Sequence, residues 1–149
     1  MPRGSKSYAT ELEAVKIVRA EETAKGWTPG PPLGQPAQKV EGCDFLSAPP
    51  DGGSGHRVEV KGWGDPIVWP DGSIRDSANI TVEQFERATA DPNWRLEIVA
   101  NLTAAREQRG QPQRLTLTSA EIRERVREWR YRIDLDGLAE RVSEAPDRP

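Results

Sequence analysis

Asp44, Glu59 and Lys61 form the pattern D-x14-E-x-K, the arrangement in this chain best suited to chemistry. Alternation along Arg57-Val58-Glu59-Val60-Lys61 puts Val58 and Val60 on one strand face and Glu59 and Lys61 on the other. In an antiparallel pair the numbers of facing residues add to a constant. Setting Asp44 opposite Glu59 centres the turn between Asp51 and Gly52, inside a run of Pro and Gly that must turn. To within a slip of a residue or two, the two carboxylates face each other. Like charges across a strand pair repel, and a divalent cation removes that cost. Mg²⁺ or Mn²⁺ needs only one or two carboxylates and keeps several of its waters. Lys61, ~6–7 Å along the strand from Glu59, is placed to hold a water or a phosphate oxygen beside the ion. Such a group suits phosphodiester hydrolysis, in which the ion activates water and polarises phosphate while the ammonium stabilises developing charge. The spacing alone leaves a second reading open, that of alternating charge on the solvent face of a strand.

Composition narrows the choices. One cysteine, Cys43, and one histidine, His56, exclude an internal disulfide, a zinc cluster and a nucleophile–histidine pair with partners to spare. Any metal here is held by oxygen. The 149 residues are 35% apolar and 30% charged, with mean hydropathy −0.74, as expected of one soluble α/β-sized domain. No run reaches the ~18–20 apolar residues of a membrane span, and the Met1-Pro2-Arg3-Gly4-Ser5 start has no apolar leader core. The expectation is a cytoplasmic protein that does not enter membranes. A net charge of −3 and a pI near 5.3 argue against nucleic-acid binding by bulk charge. With 16 Arg and 5 Lys, a bias of GC-rich genomes, each lysine is weak evidence that an ammonium is needed.

Elements must position these side chains. Residues 1–7 read as a flexible start, and Tyr8–Lys25 as a helix with Leu12, Ala14, Val15 and Val18 inward, Glu11 at the edge of that stripe, Glu22 near the same face and Gly26 as cap. Acidic residues at a helix start also satisfy the macrodipole. Thr28–Gln38, rich in Pro, is an extended loop or sheet edge. Glu41–Ser47 and Arg57–Lys61 form the hairpin. Trp69-Pro70-Asp71-Gly72 turns a small excursion between Val68 and Ile74, and Thr81 with Gln84 opens a helix through Ala90 as a capping box. Trp94–Asn101 reads as a central strand and Arg114–Leu117 as another. Thr118 or Ser119 then caps a helix carrying Ile122, Val126, Trp129 and Ile133 inward. The tail, 142–149, is expected to be disordered. The order indicates an α/β domain with a mixed sheet.

Glu11 and Ala14 in the first helix, Gly26-Trp27, Gly42-x-Asp44-Phe45, Val58-Glu59-Val60-Lys61-Gly62, Ile80-Thr81-x-x-Gln84 and Trp94 to Asn101 form a recognisable succession. It resembles the protein NO VEIN C-terminal domain family, a branch of the PD-(D/E)xK restriction-endonuclease-like superfamily, over about residues 8–102. The resemblance implies a restriction-endonuclease-like mixed sheet flanked by helices with an αβββαβ core, to which the strand and helix read from the pattern in 103–141 add a C-terminal extension. It implies Asp44, Glu59 and the Val60 carbonyl as ligands of Mg²⁺ or Mn²⁺, Lys61 orienting the nucleophilic water, and Glu11 and Gln84 supporting them. The implied activity is that of a metal-dependent endonuclease acting on DNA before RNA, in bacterial defence or DNA processing, beside a separately encoded helicase or ATPase. The alternatives are a catalytically silent nucleic-acid-binding module on the same fold and a protein-interaction domain.

Four further features have two readings each. Trp63 and Trp69 stack bases or close a hairpin over the core. Arg123, Arg127 and Arg130 follow a phosphate backbone or join a salt-bridged helix in which Glu121 pairs with Arg125 and Glu128 with Arg132. His56 is expected to be exposed and idle, and Cys43 a small core residue.

Overall fold

The computed structural model describes residues 5–34, 36–102, 111–127 and 132–144. Helix α1 (Ser5–Ala24) carries Ala14, Val15, Ile17 and Val18 into the core and ends where Gly26 takes φ +87°. Leu12, expected in that stripe, lies outside it and is exposed. Two helical residues advance about 200°, so the face centred on Ala14 points away from Leu12. After β1 (Thr28–Pro29) comes a short helix, α2 (Ala37–Glu41), stopped by Gly42 at φ +67°. The expected strand from Glu41 therefore starts later, as β2 (Phe45–Ala48), because the left-handed glycine must first turn the chain out of α2.

β3 (His56–Gly62) pairs with β2 antiparallel, with Phe45 opposite Val58, Leu46 opposite Arg57 and Ser47 opposite His56. This is the register that the turn chemistry predicts. Asp44, one step beyond, keeps it by donating its N–H to the Val58 carbonyl at 2.9 Å. After β4 (Ser77–Asn79) and α3 (Val82–Ala90), β5 (Trp94–Ala100) runs parallel to β3, and β6 (Gln113–Thr118) runs antiparallel to β5. The fold is thus mixed α/β, and β5 is central, with Leu96, Glu97, Ile98, Val99 and Ala100 buried across both faces. α1 packs on the sheet face that presents Phe45, Val58, Val60 and Val99. The opposite face, with Trp94, Leu96, Ile98, Leu115 and Leu117, forms the larger core.

The C-terminal region departs from expectation. α4 (Ser119–Arg125), capped by Thr118 with Glu121, stops at Arg125 and does not run on to Ile133. The chain continues as β7 (Val126–Arg127) and β8 (Arg132–Asp134), with Val126 opposite Ile133, and β8 pairs with β4 in a three-stranded sheet. The i, i+4, i+7, i+11 spacing of the apolar residues fits a helix. β-branched Val126 and Ile133 instead pack across strands because Ala78, distant in sequence, supplies the facing position. Glu121 consequently pairs with Arg141, while Arg125 donates to the carbonyls of Asp134 and Asp136. In the tail expected to be disordered, β9 (Ser143–Glu144) pairs with β6, which still has a free edge there.

α1 reaches β3 closely enough to serve a site there only because of Gly62. A Cβ at Gly62 would lie 2.7 Å from the Thr10 carbonyl oxygen and 2.9 Å from the Ala14 Cβ, both rigid parts of α1. Gly62→Ala is expected to destabilise the fold by about 1–3 kcal/mol. Gly34→Ala, where a Cβ would meet nothing within 4 Å, should stay within about 0.5 kcal/mol. Urea midpoints of the two variants check this.

Candidate active site

β2 and β3 carry Asp44 and Glu59 to one side of the sheet, where α1, α2 and the start of α3 leave a cleft of about 320 Å³. Glu11, Gln38, Gly42, Asp44, Glu59, Thr81, Glu83 and Gln84 line it. Asp44 is 7% exposed and Glu59 5%. Asp44 Oδ2 accepts the Val60 N–H at 2.7 Å, and its Oδ1 accepts from the Gln38 amide. Because a strand residue turns N–H and C=O to the same side, the Val60 carbonyl lies on the edge that carries Asp44.

Lys61 Nζ stands 3.5 Å from Glu59 Oε2 and 3.4 Å from Gln84 Oε1. Gln84 is held in turn by the capping box of α3: its Oε1 accepts the Thr81 N–H at 3.1 Å while the Thr81 hydroxyl accepts the Gln84 N–H at 3.1 Å. One local motif thus starts the helix and orients the oxygen that meets the ammonium. Glu11 reaches the site from α1 and accepts the Gly62 N–H.

The charge is unbalanced. Burial pushes the Glu59 carboxyl well above its ordinary range, and the neighbouring charges of Asp44 and Glu11 push it further against the pull of Lys61. Asp44 is raised by burial, opposed by the Val60 N–H and Lys61. Glu11 is raised by burial and by Asp44. A cation in the cleft would remove the repulsion that these carboxylates share.

The donors fit Mg²⁺ or Mn²⁺. Asp44 and Glu59 are hard oxygen ligands, and a carboxylate oxygen that accepts one hydrogen bond keeps a second lone pair. Among the described residues no three His, Cys, Asp or Glu side chains form a ready metal cage. A cleft offering two carboxylates and a carbonyl suits an ion that retains several waters, not zinc in a closed site. The chain matches no family model, no curated protein and no solved structure. What the cleft can do is therefore read from its own donors.

The structure brings Glu11, Asp44, Glu59, Lys61 and Gln84 together, and Trp63, Trp69, Arg123 and Arg127 are not among the residues that line the cleft. Trp63 packs half-buried against the core, and the Arg75 guanidinium covers its ring at 3.7 Å. Trp69 stands 40% exposed where the 67–74 excursion turns. Arg123 is exposed on α4 and Arg127 lies on β7, so they share no helical stripe. Arg130 lies outside the described residues, as do Glu128 and Trp129. His56 is half-buried, not free in the turn, with its ring edge-on to Trp27 at 4.8 Å. Cys43 is buried as expected, its thiol pushed up to about 12 chiefly by burial.

Sequence reasoning missed Gln38, which has no motif spacing to Asp44, and the depth at which Glu22 sits. Glu22 is 1% exposed, paired with Arg95 and Lys25 and accepting from the Ser47 hydroxyl. Glu97 and Glu21 share Arg114 beside it. The place of Glu22 near the apolar face of α1 is the sequence signal for that network.

Proposed function

We propose that this protein is a divalent-metal-dependent nuclease of the PD-(D/E)xK type, hydrolysing phosphodiester bonds of DNA, as its resemblance to the NO VEIN C-terminal domain family implies. The observation that carries the reading is the meeting of two buried, facing carboxylates with an ammonium that is oriented from a second element. When bound, Mg²⁺ or Mn²⁺ lowers the pKa of a bound water and polarises the phosphate. Asp44, Glu59 and the Val60 carbonyl would hold it. Lys61 donates from Nζ to the attacking water or to the phosphate oxygen on which charge develops, and Gln84 keeps that ammonium in place. Glu11, anchored to Gly62, adds negative charge that favours a cation and disfavours bare phosphate. Nucleic acid is accordingly expected to bind only once the cleft is metal-loaded.

The test is incubation of the chain with plasmid and oligonucleotide DNA in Mg²⁺ or Mn²⁺. Cleavage is expected with either ion, none in chelator, and a drop of about 10²–10⁴-fold for Lys61→Met with metal binding retained. Intact DNA under all of these conditions would leave a silent nucleic-acid-binding or protein-interaction module on this fold.

A further inference from the structure

Gln38 lies in the segment where a sequence reading expects an extended loop or sheet edge, yet its amide is hydrogen-bonded to the aspartate that lines the cleft. We infer that Gln38 is a positioning residue for the cation site, fixing the Asp44 carboxylate so that its remaining lone pairs point into the cleft. The inference rests on the reading of Asp44 as a metal ligand. Asp44 has two oxygens and the fold assigns each a donor: the Val60 N–H meets Oδ2 at 2.7 Å and the Gln38 Nε2–H meets Oδ1. With one donor the carboxylate pivots about the Cβ–Cγ bond; with two it does not. An ionised carboxylate has about four lone-pair sites, so the two bonds leave one on each oxygen, at fixed directions, for the neighbouring Glu59 carboxyl or for a hard cation in its place.

The scaffold around Gln38 is built to hold it. Its carbonyl accepts the N–H of Gly42 at 2.9 Å and that of Cys43 at 3.3 Å, so the residue is locked into α2 by its backbone. The Gly42 carbonyl receives the buried Trp94 indole N–H at 2.8 Å, and the Leu33 N–H meets the Asp44 carbonyl at 2.7 Å. The proline-rich segment before α2 is therefore tied to the same aspartate that Gln38 orients. Gln38 also lines the cleft, facing the space that the ion and its waters would fill.

Partners that orient a ligand typically change metal affinity by about 10–100-fold when lost. The experiment is calorimetric titration of Mn²⁺ into the full chain and into Gln38→Met, which keeps the length of the side chain and every backbone bond but cannot donate. Expected is saturable binding to wild type and a dissociation constant about 10–100-fold larger for the variant, with an unchanged melting temperature. Equal affinity in the two proteins would overturn the positioning role and leave the metal site standing. No binding by wild type, alone or with a DNA duplex present, would instead remove the site itself. A measurement on wild type needs no variant to fold: the Gln38 side-chain amide protons should shift on Mg²⁺ addition with the calorimetric midpoint, and amide protons that stay unmoved would overturn the inference.

Discussion

Glu59→Gln is expected to abolish DNA cleavage and, in the same protein, to raise the melting temperature in metal-free buffer above neutral pH. Glu59 is buried beside Asp44, with Lys61 partly offsetting the charge, and its carboxyl is held well above the ordinary value of 4.5. A carboxyl raised in the folded state binds its proton more tightly there than in the unfolded chain. Its contribution to stability is therefore complete below the ordinary carboxylate range and is lost as pH rises through the raised value. Asp44 and Glu11 shift in the same direction and add to the slope. Glutamine keeps the shape and removes the ionisation, so the variant should lose less stability between pH 5 and pH 9. Each kcal/mol recovered is worth about 2–4 °C at this chain length. Mg²⁺ should reverse the order, stabilising wild type by about 2.7 kcal/mol at a hundredfold excess over Kd and leaving the variant unmoved. Loss of cleavage should reach ~10³-fold, the scale of removing one charge-stabilising group. Melting scans across pH with and without Mg²⁺, beside a cleavage assay, check both halves. Parallel pH slopes for the two proteins would refute the burial argument.

Trp94→Ala carries the largest structural effect. Trp94 opens β5 and is the largest fully buried side chain among the described residues, and its indole N–H holds the Gly42 carbonyl. Truncation leaves a cavity in the core between sheet and helices, at a cost of about 3–5 kcal/mol. Trp94→Phe isolates the polar part: it fills most of the volume but leaves the Gly42 carbonyl buried without its partner, about 1–3 kcal/mol. Gly42 is where α2 stops, so the Phe variant should also weaken Mn²⁺ binding, although residue 94 does not line the cleft. Urea unfolding and metal titration on both variants measure the two effects.

Much of this architecture was legible because its causes are local. The β2–β3 register follows, to within a residue or two, from a Pro/Gly run that must turn, and the structure pairs Phe45 with Val58 accordingly. The Thr81–Gln84 capping box and the Trp69–Gly72 turn depend on residues within a few positions of each other, and both are present. What was not legible depends on distant partners. The helical periodicity from Ile122 to Ile133 is real, but Ala78 on β4 decides it in favour of strands. Five residues after Pro36 are too few for a periodic signal, so α2 was invisible until Gly42 and Trp94 supplied its reason to stop. Within the site, Asp44, Glu59 and Lys61 follow from alternation. Glu11 and Gln84 came only from family resemblance, and Gln38 becomes visible only when α2 is folded against β2.

Arg114 imposes a timetable on the making of this protein. Its guanidinium bonds Glu21, 93 positions earlier in the chain, and Glu97 and the Ile98 carbonyl across the β5–β6 pair. Without it, buried Glu97 keeps the Thr116 hydroxyl at 2.6 Å and a 3.4 Å contact with Arg95, and a buried carboxylate that loses its nearest cation costs several kcal/mol. Every side chain of the cleft has been translated once Gln84 leaves the ribosome. The face of α1 that must settle on β5 is not electrically neutral until about thirty residues later. A nascent chain thus carries the residues that line the cleft before it can hold them in place, and the activity proposed for the cleft waits for Arg114.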